Sequence, residues 1–266
     1  MLSRRARGLS IGVNLNPDGA CNFGCVYCQV DRSAPPALRE VDLQTVRAEL
    51  TAMFEAARDG TLFAEPPFSS LPPEQHCIRD IAFSGDGEPT ASKHFLPCVQ
   101  LVAELKQQTG LADTKIVLIT DACYLTRPRV VQALEVLDRN RGEIWAKLDA
   151  GTEAYFRQVN RPNFSLAHVV ENLSAAARVR PIVIQSLFLK LHGQPPAAAE
   201  VAAYCERLNE IVRSGGRIAR VQVYTVARPP AEAWVTALTD EEVDALAEQV
   251  RQRTGLVVEA FYGAQM

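Results

Sequence analysis

The stretch Cys21-Asn22-Phe23-Gly24-Cys25-Val26-Tyr27-Cys28 places three of the seven cysteines of this chain within eight residues. Their Cys-x3-Cys-x2-Cys spacing puts three thiols on one short loop, and a thiolate is a soft ligand that selects zinc, copper(I) or iron–sulfur clusters. An iron–sulfur cluster ordinarily takes four Cys ligands, so three leave one iron open unless a distant residue completes the set. An open position on a bound metal is where a substrate or cofactor can bind.

Two other interpretations of these cysteines are open. A structural zinc ion would need a fourth Cys or His at comparable spacing, and the next cysteine is Cys77. Unliganded cysteines are also often buried as small apolar side chains. The spacing after an apparent strand favours a metal or cluster site, and Cys123 could supply a fourth ligand if the protein were an iron–sulfur electron carrier.

The composition is that of a globular protein. The chain has 266 residues, of which 47% are hydrophobic and 22% charged, and its formal net charge is −3. Nothing in this overall charge indicates nucleic-acid binding. The cysteines outside the loop are scattered singly, which is typical of a reducing cytosol rather than of a disulfide framework. No run reaches the ~18 apolar residues of a membrane span, so we predict a cytoplasmic protein with no membrane partner.

Short apolar runs alternate with amphipathic stretches along the whole chain. This alternation predicts βαβ units around a parallel sheet, and their number favours an α/β fold, a partial (β/α)6-type TIM barrel that forms a single domain over residues 1–266. The predicted strands are Ser10–Asn16, Ile78–Ser84, Lys115–Thr120, Glu143–Asp149, Ile182–Leu189 and Ile218–Thr225, with Leu256–Phe261 as a seventh strand or edge segment. The predicted helices are Val41–Arg58, Lys93–Thr109, Pro128–Arg139, Leu166–Val179, Ala197–Arg213 and one that opens at Thr239, and residues 60–75 form a long proline-containing loop.

In barrels of this kind the chemistry lies where strands end and the following loops begin. The cysteine loop follows the first predicted strand. The second is followed by Ser84–Thr90, whose two glycines permit a close backbone approach. Within it, Glu88 offers a carboxylate that can pair with an ammonium group, although an ordinary glycine-rich turn is the alternative. The third strand ends in Thr120 and Asp121, and Asp121 either faces a ligand or only caps a turn.

Later strands carry further polar residues. Lys147 and Asp149 are two apart on one predicted strand, so they point to the same face. They either face a ligand or form a buried structural ion pair. Gln185 lies within an apolar strand, which indicates a hydrogen bond into the barrel or an internally satisfied amide.

Two arginines stand beside prolines after predicted strands. Arg161 precedes Pro162 in the loop after the fourth strand, and Arg228 follows Tyr224 at the exit of the sixth. Either guanidinium could hold a carboxylate or phosphate, or be a plain surface residue.

These motifs resemble the radical S-adenosylmethionine (AdoMet) superfamily. The resemblance is carried by the three-cysteine loop with Tyr27 before its last Cys. It is also carried by Gly85-Asp86-Gly87-Glu88, which looks like the family's glycine-glycine-glutamate motif with an Asp between the glycines. The order of motifs, continued by 147–150, 160–162 and 226–230, is similar to that of the tRNA wyosine-base (4-demethylwyosine) synthases over nearly the whole chain.

The resemblance implies a 4Fe-4S cluster on Cys21, Cys25 and Cys28 whose open iron chelates AdoMet, and a reductive cleavage of AdoMet that generates a radical. It implies that Glu88 holds the AdoMet ammonium group and that Tyr27 lies near the adenine. The other residues predicted to bind the cofactor are Gly85, Asp86, Gly87, Thr120, Asp121, Lys147, Asp149 and Gln185. Those predicted for catalysis or substrate binding are Arg161, Arg228, Tyr224 and Cys123. A reductant such as flavodoxin or ferredoxin is the expected electron donor.

The interpretations differ in the substrate that they assign to the enzyme. Wyosine-base synthases use a second cluster, but here no cysteine precedes Cys21 and the later ones are not grouped. A tRNA-binding enzyme is also expected to have a basic face, so a small-molecule substrate is favoured over tRNA. Aminocarboxypropyl transfer, which breaks a different carbon–sulfur bond of AdoMet, is a further alternative. The basic residues considered for tRNA are Arg4, Arg5, Arg7, Arg157, Arg161, Arg178, Arg180, Arg217, Arg220 and Arg228.

Overall fold

The structure is a computed structural model that describes residues 1–3, 5, 8–32, 35–36, 38–64, 66–230 and 232–263. Arg4 and Arg7, considered above for tRNA binding, lie outside the described residues. The chain forms two compact units, each assembled from three stretches. The first comprises Met1–Ala20, Pro35–Ile119 and Arg127–Glu143, and the second comprises Cys21–Ala34, Thr120–Thr126 and Ile144–Met266. The single-domain organisation stays a prediction.

The first unit is built from parallel strands with helices between them. Its elements are β1 (Leu2–Ser3), β2 (Gly8–Val13), α1 (Leu43–Asp59), β3 (Ile78–Phe83), α2 (Phe95–Gln108), β4 (Lys115–Thr120, whose last residue belongs to the second unit) and α3 (Pro128–Arg139). Strands β2, β3 and β4 pair in parallel in that order, and β1 pairs antiparallel with β2. Most residues of β3 are buried, as in parallel sheets that helices cover.

Local sequence signals explain where the helices of this unit begin and end. The Asp42 side chain accepts hydrogen bonds from the amides of Gln44 and Thr45, which caps the start of α1. Helix α1 ends at Gly60, whose φ of 85° is in the left-handed region that glycine adopts without strain. Helix α3 begins with Pro128, a residue that suits the first helical position because its missing N–H would have no partner there.

The second unit has the same alternating architecture. Its elements are β5 (Gly142–Lys147, whose first two residues belong to the first unit), α4 (Glu153–Asn160), α5 (Leu166–Val179), β6 (Ile182–Leu187), β7 (Leu189–Leu191), α6 (Ala198–Arg213), β8 (Ile218–Tyr224), β9 (Val235–Ala237), α7 (Asp240–Thr254) and β10 (Val258–Phe261). Strands β5, β6, β8 and β10 pair in parallel in that order. Strands β7 and β9 form a separate antiparallel ribbon.

The predicted α/β alternation is confirmed, with each predicted strand and helix end within three residues of the observed one. Three elements were not predicted, namely β1, the β7–β9 ribbon and α4. Helix α4 has only eight residues, too few for hydrophobic periodicity to identify it. The predicted strand Ile182–Leu189 was too long, because β6 ends at Leu187 and Leu189 already belongs to β7, which pairs with β9. Residues 60–75 contain two short 3-10 turns.

Among the described residues, no helix combines the length and the apolar character that a membrane span requires. The cytoplasmic location stays a prediction.

Candidate active site

The three cysteines lie on a loop of the second unit, residues 21–28, that pairs with the last residues of α4. The Gly24 amide donates to the Asn160 carbonyl at 3.0 Å, and the Val26 amide donates to the Val159 carbonyl at 2.9 Å. Backbone polar groups removed from water need such partners. The pairing therefore gives the cysteine loop a defined path through backbone hydrogen bonds.

Apolar contacts anchor the same loop between its cysteines. Phe23 packs edge-on against Phe156 of α4, with ring centres 5.3 Å apart. Val26, 1% exposed, joins a buried cluster with Val159 and residues of β6, β7 and β9. Four partly buried aromatic side chains pack against this cluster, namely Tyr27, Tyr155, Tyr224 and Trp234. The anchored residues alternate with the cysteines, whose positions are partly exposed.

Two of the three sulfurs accept N–H hydrogen bonds. Asn160 Nδ2 lies 3.4 Å from Cys25 Sγ, and Arg32 Nη1 lies 3.3 Å from Cys28 Sγ. Partial burial acts to lower the pKa of Arg32, but Cys28, Cys21 and Cys25 outweigh it and raise that pKa. All three thiols therefore lie within electrostatic reach of one guanidinium.

The donor set of the cysteine loop consists of three thiols. Within the described part of the chain, no group of three or more His, Cys, Asp or Glu side chains could hold a metal ion. A single ion needs all its ligands in one coordination sphere, with zinc–sulfur bonds of about 2.3 Å. Each Cys ligand of a four-iron cluster instead binds its own iron, so the thiols stand further apart. Three thiols on one loop, two with N–H donors already in place, fit the cluster.

A buried charged network lies beside the cysteine loop. The Tyr27 hydroxyl donates to Asp149 Oδ2, and Lys147 Nζ lies 2.5 Å from the Tyr27 oxygen and 3.4 Å from Asp149 Oδ2. The Leu187 amide donates to Asp149 Oδ1 at 2.9 Å, and Asn160 Nδ2 donates to Asp149 Oδ2 at 2.7 Å. Asp149 is only 1% exposed. These donors let its carboxylate keep a charge away from water.

The network also sets the protonation of its members. Burial and the Asp149 carboxylate raise the pKa of Tyr27 well above its usual value, so its hydroxyl stays protonated. Burial acts to lower the pKa of Lys147, but the Asp149 carboxylate outweighs it and raises that pKa, so the ammonium is charged. Of the two interpretations of Lys147 and Asp149, the structure shows the buried ion pair. Their part in cofactor binding stays a prediction.

The end of β4 forms a tight polar turn in the second unit. Thr120 Oγ1 accepts from the Ala122 amide at 3.0 Å, and Asp121 Oδ1 accepts from the Cys123 amide at 2.9 Å. Asp121 Oδ2 also accepts from Asn22 Nδ2 at 2.9 Å. Asp121 thus caps a turn and holds the residue after Cys21. Cys123 is 2% exposed. Among the described residues, it does not belong to a group of side chains that could hold a metal ion.

Gln185 forms an internal amide pair. Its Nε2 donates to Gln222 Oε1 at 2.9 Å, and the two side chains are 1% and 0% exposed. Lys147, Gln185 and Gln222 occupy the same level of β5, β6 and β8. Among the described residues, Gln222 Nε2 has no hydrogen-bond partner. Of the two interpretations of Gln185, the internally satisfied amide holds for its Nε2. Binding of the cofactor by Gln185 stays a prediction.

The two arginines differ in their surroundings. Arg161 Nη2 lies 2.8 Å from Glu232 Oε1, and its side chain is half exposed. Glu232 therefore compensates the Arg161 charge. Arg228 is exposed in the loop after β8. Convergence of the two arginines on one anionic substrate stays a prediction.

In the first unit, the glycines after β3 are required by close contacts. A Cβ at Gly87 would lie 2.0 Å from the Ala20 carbonyl oxygen and 2.6 Å from Asn16 Cβ. A Cβ at Gly85 would lie 2.4 Å from Asn14 Oδ1. The segment 85–88 is thus packed against the end of β2 and the residue before Cys21, closer than any side chain allows.

The two carboxylates of this segment differ. Asp86 is exposed and accepts from Asn14 Nδ2 at 2.7 Å. Glu88 is 2% exposed, and its Oε1 accepts from the Thr90 amide at 3.0 Å and the Thr90 hydroxyl at 2.5 Å. Glu88 therefore caps the 3-10 turn that follows it. This turn does not exclude a ligand at the same carboxylate, and binding of an ammonium group stays a prediction.

Sequence reasoning missed the amides that position these groups. They are Asn14, Asn22, Asn160 and Gln222. Asn is a common turn residue, so its residue type carried no signal. Position was the available signal, because Asn22 lies inside the cysteine loop and Asn160 precedes the Arg-Pro pair already noted.

The chain has distant relatives among known sequences. No protein-family model matches it. It is 24% identical to a UPF0026 protein of Helicobacter pylori over 231 residues, which covers 86% of this chain and 65% of that protein. It is also 24% identical over 243 residues to a protein named GTPase Obg of Brachyspira hyodysenteriae, covering 89% of this chain and 31% of that protein. The chain thus spans less than two thirds of the length of either relative.

Solved structures match a larger share of this chain than the sequence relatives do. Streptococcus suis SuiB bound to S-adenosylmethionine matches 97% of this chain and 48% of its own, with a TM-score of 0.59 and 12% identity. Native anSMEcpe with bound AdoMet matches 94% of this chain and 63% of its own, with a TM-score of 0.54 and 11% identity. The chain therefore shares its fold, the partial TIM-barrel kind of α/β protein, with these two AdoMet-bound proteins, which confirms the predicted fold class. The wyosine-base subgroup stays a prediction.

The close contact at Gly87 gives a test of the packing of the segment 85–88. Gly87→Ala is expected to lower the free energy of unfolding by about 1–3 kcal/mol, because the new methyl group must displace the Ala20 carbonyl. Chemical denaturation monitored by circular dichroism measures the change. The matched control is Gly12→Ala in β2, where a Cβ meets nothing within 4 Å. Equal stability of the two variants would contradict the close packing.

Proposed function

We propose that this protein is a radical AdoMet enzyme, with a 4Fe-4S cluster on Cys21, Cys25 and Cys28 and AdoMet bound at the cluster. The observation that carries the proposal is the cysteine loop. Its path is held by backbone hydrogen bonds to the end of α4, its cysteines are partly exposed, and two of its sulfurs accept N–H bonds. The AdoMet-bound structures that share the fold support the choice of cofactor.

When bound, the reduced cluster would supply the electron that cleaves AdoMet, in the usual case to methionine and a 5′-deoxyadenosyl radical that abstracts hydrogen from the substrate. The protein would bind and orient the reactants and exclude water. Glu88, already placed by its bonds to Thr90, would accept the AdoMet ammonium. Lys147, kept charged by Asp149, would offer a cation to an anionic group.

The other residues proposed to bind the cofactor lie on the cysteine loop, after β3, at the end of β4, and on or just after β5 and β6. Tyr27 would lie near the adenine, with its hydroxyl held by Asp149. The turn after β4 and the glycine segment after β3 would present backbone groups to the ligand, since glycine permits close approach. The full proposed set is Tyr27, Gly85, Asp86, Gly87, Glu88, Thr120, Asp121, Lys147, Asp149 and Gln185.

For the substrate we propose a small molecule rather than tRNA. The chain carries a net charge of −3, which leaves little long-range attraction for a polyanion. Partly buried aromatic side chains pack against the buried cluster that includes Val26 of the cysteine loop, namely Tyr27, Tyr155, Tyr224 and Trp234. Aromatic surfaces of this kind suit a compact, partly apolar ligand. Arg228 and Tyr224 are the proposed substrate contacts, with Arg161 and Cys123 as further candidates. A flavodoxin or ferredoxin would deliver the electron.

Anaerobic reconstitution tests the cluster. The wild-type protein is expected to bind about four irons per chain, and the triple variant Cys21→Ala, Cys25→Ala, Cys28→Ala to bind none, because the cluster depends on thiolate ligands. Iron analysis and visible absorption measure both. The matched control replaces Cys77, Cys98 and Cys205 by Ala and is expected to keep the full iron content. A complete cluster in the first triple variant would contradict the assignment.

Products from the same preparation tell which bond of AdoMet breaks. Reduction with dithionite in the presence of AdoMet is expected to release 5′-deoxyadenosine, read by chromatography. Release of 5′-methylthioadenosine instead would support the alternative of aminocarboxypropyl transfer. A protein that binds iron but cleaves no AdoMet would support the electron-carrier alternative.

Glu88→Gln tests the ammonium contact. The amide oxygen of Gln can still accept from the Thr90 amide, so the turn should persist while the negative charge is lost. Loss of a charge-assisted hydrogen bond is expected to weaken AdoMet binding by roughly 1.5–3 kcal/mol, without changing the iron content. Isothermal titration with the reconstituted protein measures the affinity, with the exposed substitution Glu104→Gln as control. Equal affinity of Glu88→Gln and wild type would leave Glu88 as a turn residue only.

Bulk tRNA tests the substrate class. We expect weak binding at low salt with little dependence on salt, because few phosphate contacts would release counterions. A filter-binding titration between low and physiological salt measures it. Submicromolar binding that falls steeply with salt would instead favour the tRNA-modifying, wyosine-type function.

A further inference from the structure

Asn160, the last residue of α4, is 0% exposed, and its side-chain nitrogen lies within hydrogen-bond distance of three acceptors. Its Nδ2 lies 2.7 Å from Asp149 Oδ2, 3.4 Å from Cys25 Sγ and 3.5 Å from the Tyr27 oxygen. The Asp149 contact is a short charge-assisted hydrogen bond. The second hydrogen of the amide is thus available to the sulfur. One buried nitrogen therefore joins the charged network to a cysteine of the loop.

The oxygen atom of this amide indicates that the surroundings of Asn160 require a hydrogen-bond donor. Asn160 Oδ1 is buried and has no hydrogen-bond partner among the described residues. A buried polar atom without a partner costs free energy, and the hydrogen bonds that Nδ2 donates offset this cost. Turning the amide over would bring its oxygen against the Asp149 carboxylate, where two acceptors repel. The orientation is thus dictated by the acceptors around Nδ2.

The backbone of the same residue acts on the same part of the loop. The Asn160 carbonyl accepts from the Gly24 amide at 3.0 Å, and Gly24 directly precedes Cys25. Side chain and main chain of one residue therefore restrain both the path of the loop and the sulfur of Cys25.

We propose that Asn160 is a positioning residue for Cys25, which holds its sulfur in place and, through the N–H···S bond, makes the cluster easier to reduce. The second part of this inference, the effect on reduction of the cluster, rests on the proposed function. A donor aimed at a ligand sulfur stabilises the more negative, reduced cluster more than the oxidised one, and hydrogen bonds to the sulfurs are one of the means by which proteins set cluster potentials. Because Asn160 is excluded from water, no solvent competes with its bond.

The Arg32 contact provides an internal comparison. Its Nη1 also donates to a cysteine sulfur, Cys28 Sγ, at 3.3 Å, but Arg32 is exposed. Water competes for such a donor, and the bond is worth less. Removing the Arg32 side chain is therefore expected to affect the loop and the potential less than removing that of Asn160.

Asn160→Leu tests the proposal, because leucine fills a similar volume without a donor, and Asn160→Ala is the second variant in case leucine does not fit. In the metal-free protein, hydrogen exchange of residues 22–28 is expected to be about 5- to 30-fold faster, the factor that corresponds to the loss of one or two kcal/mol of local stability. In the reconstituted protein, a redox titration followed by electron paramagnetic resonance is expected to give a more negative midpoint potential at unchanged iron content. The shift should exceed that of Arg32→Leu.

The control is Asn209→Leu on α6, whose amide donates to the Arg253 carbonyl and which should leave both measurements unchanged. Wild-type exchange in residues 22–28 of both Asn160 variants would overturn the proposal, and so would a wild-type midpoint potential. If the wild-type protein binds no iron, the proposed function fails. The exchange experiment then still decides whether Asn160 positions Cys25, because it uses the metal-free chain.

Discussion

The buried carboxylate of Asp149 is the constraint on which the surroundings of the cysteine loop depend. A carboxylate at 1% exposure keeps its charge only if donors replace water. Here the donors come from four parts of the second unit: Lys147 at the end of β5, Tyr27 on the cysteine loop, Asn160 at the end of α4 and the backbone of Leu187 in β6. The ion pair and hydrogen bonds to this one carboxylate therefore fix the mutual positions of a strand end, a loop and a helix end.

These positions leave the cysteines of the loop available as ligands. Because the loop is paired to α4 through its backbone and anchored by Phe23 and Val26, its cysteines do not have to hold it together. They are left partly exposed, with N–H donors already directed at two of them. A ligand set of this kind binds with little loss of conformational freedom, since the order has been established by folding.

The first unit prepares its own polar segment by a different means. The segment 85–88 is held by close contacts that only glycine permits, at Gly85 against Asn14 and at Gly87 against Ala20. Its one buried carboxylate, Glu88, is directed by the turn that it caps. The fold is shared with AdoMet-bound proteins, but folds host many functions. These residues, and not the fold, therefore support the proposed chemistry.

The sequence by itself determined the alternation of strands and helices, the placement of polar residues at strand ends, and the thiol loop. These signals are local, since they depend on periodicity, on residue type and on spacing of a few positions. Only the tertiary structure decided that Lys147 and Asp149 form an ion pair, that Asp121 and Glu88 cap turns, and that Arg161 is paired with Glu232. Asn160 and Cys25 lie 135 residues apart in the chain, and no local pattern records which distant donor reaches a buried acceptor. Such a hydrogen bond forms only once packing has brought the two groups together and has shielded Asn160 from water.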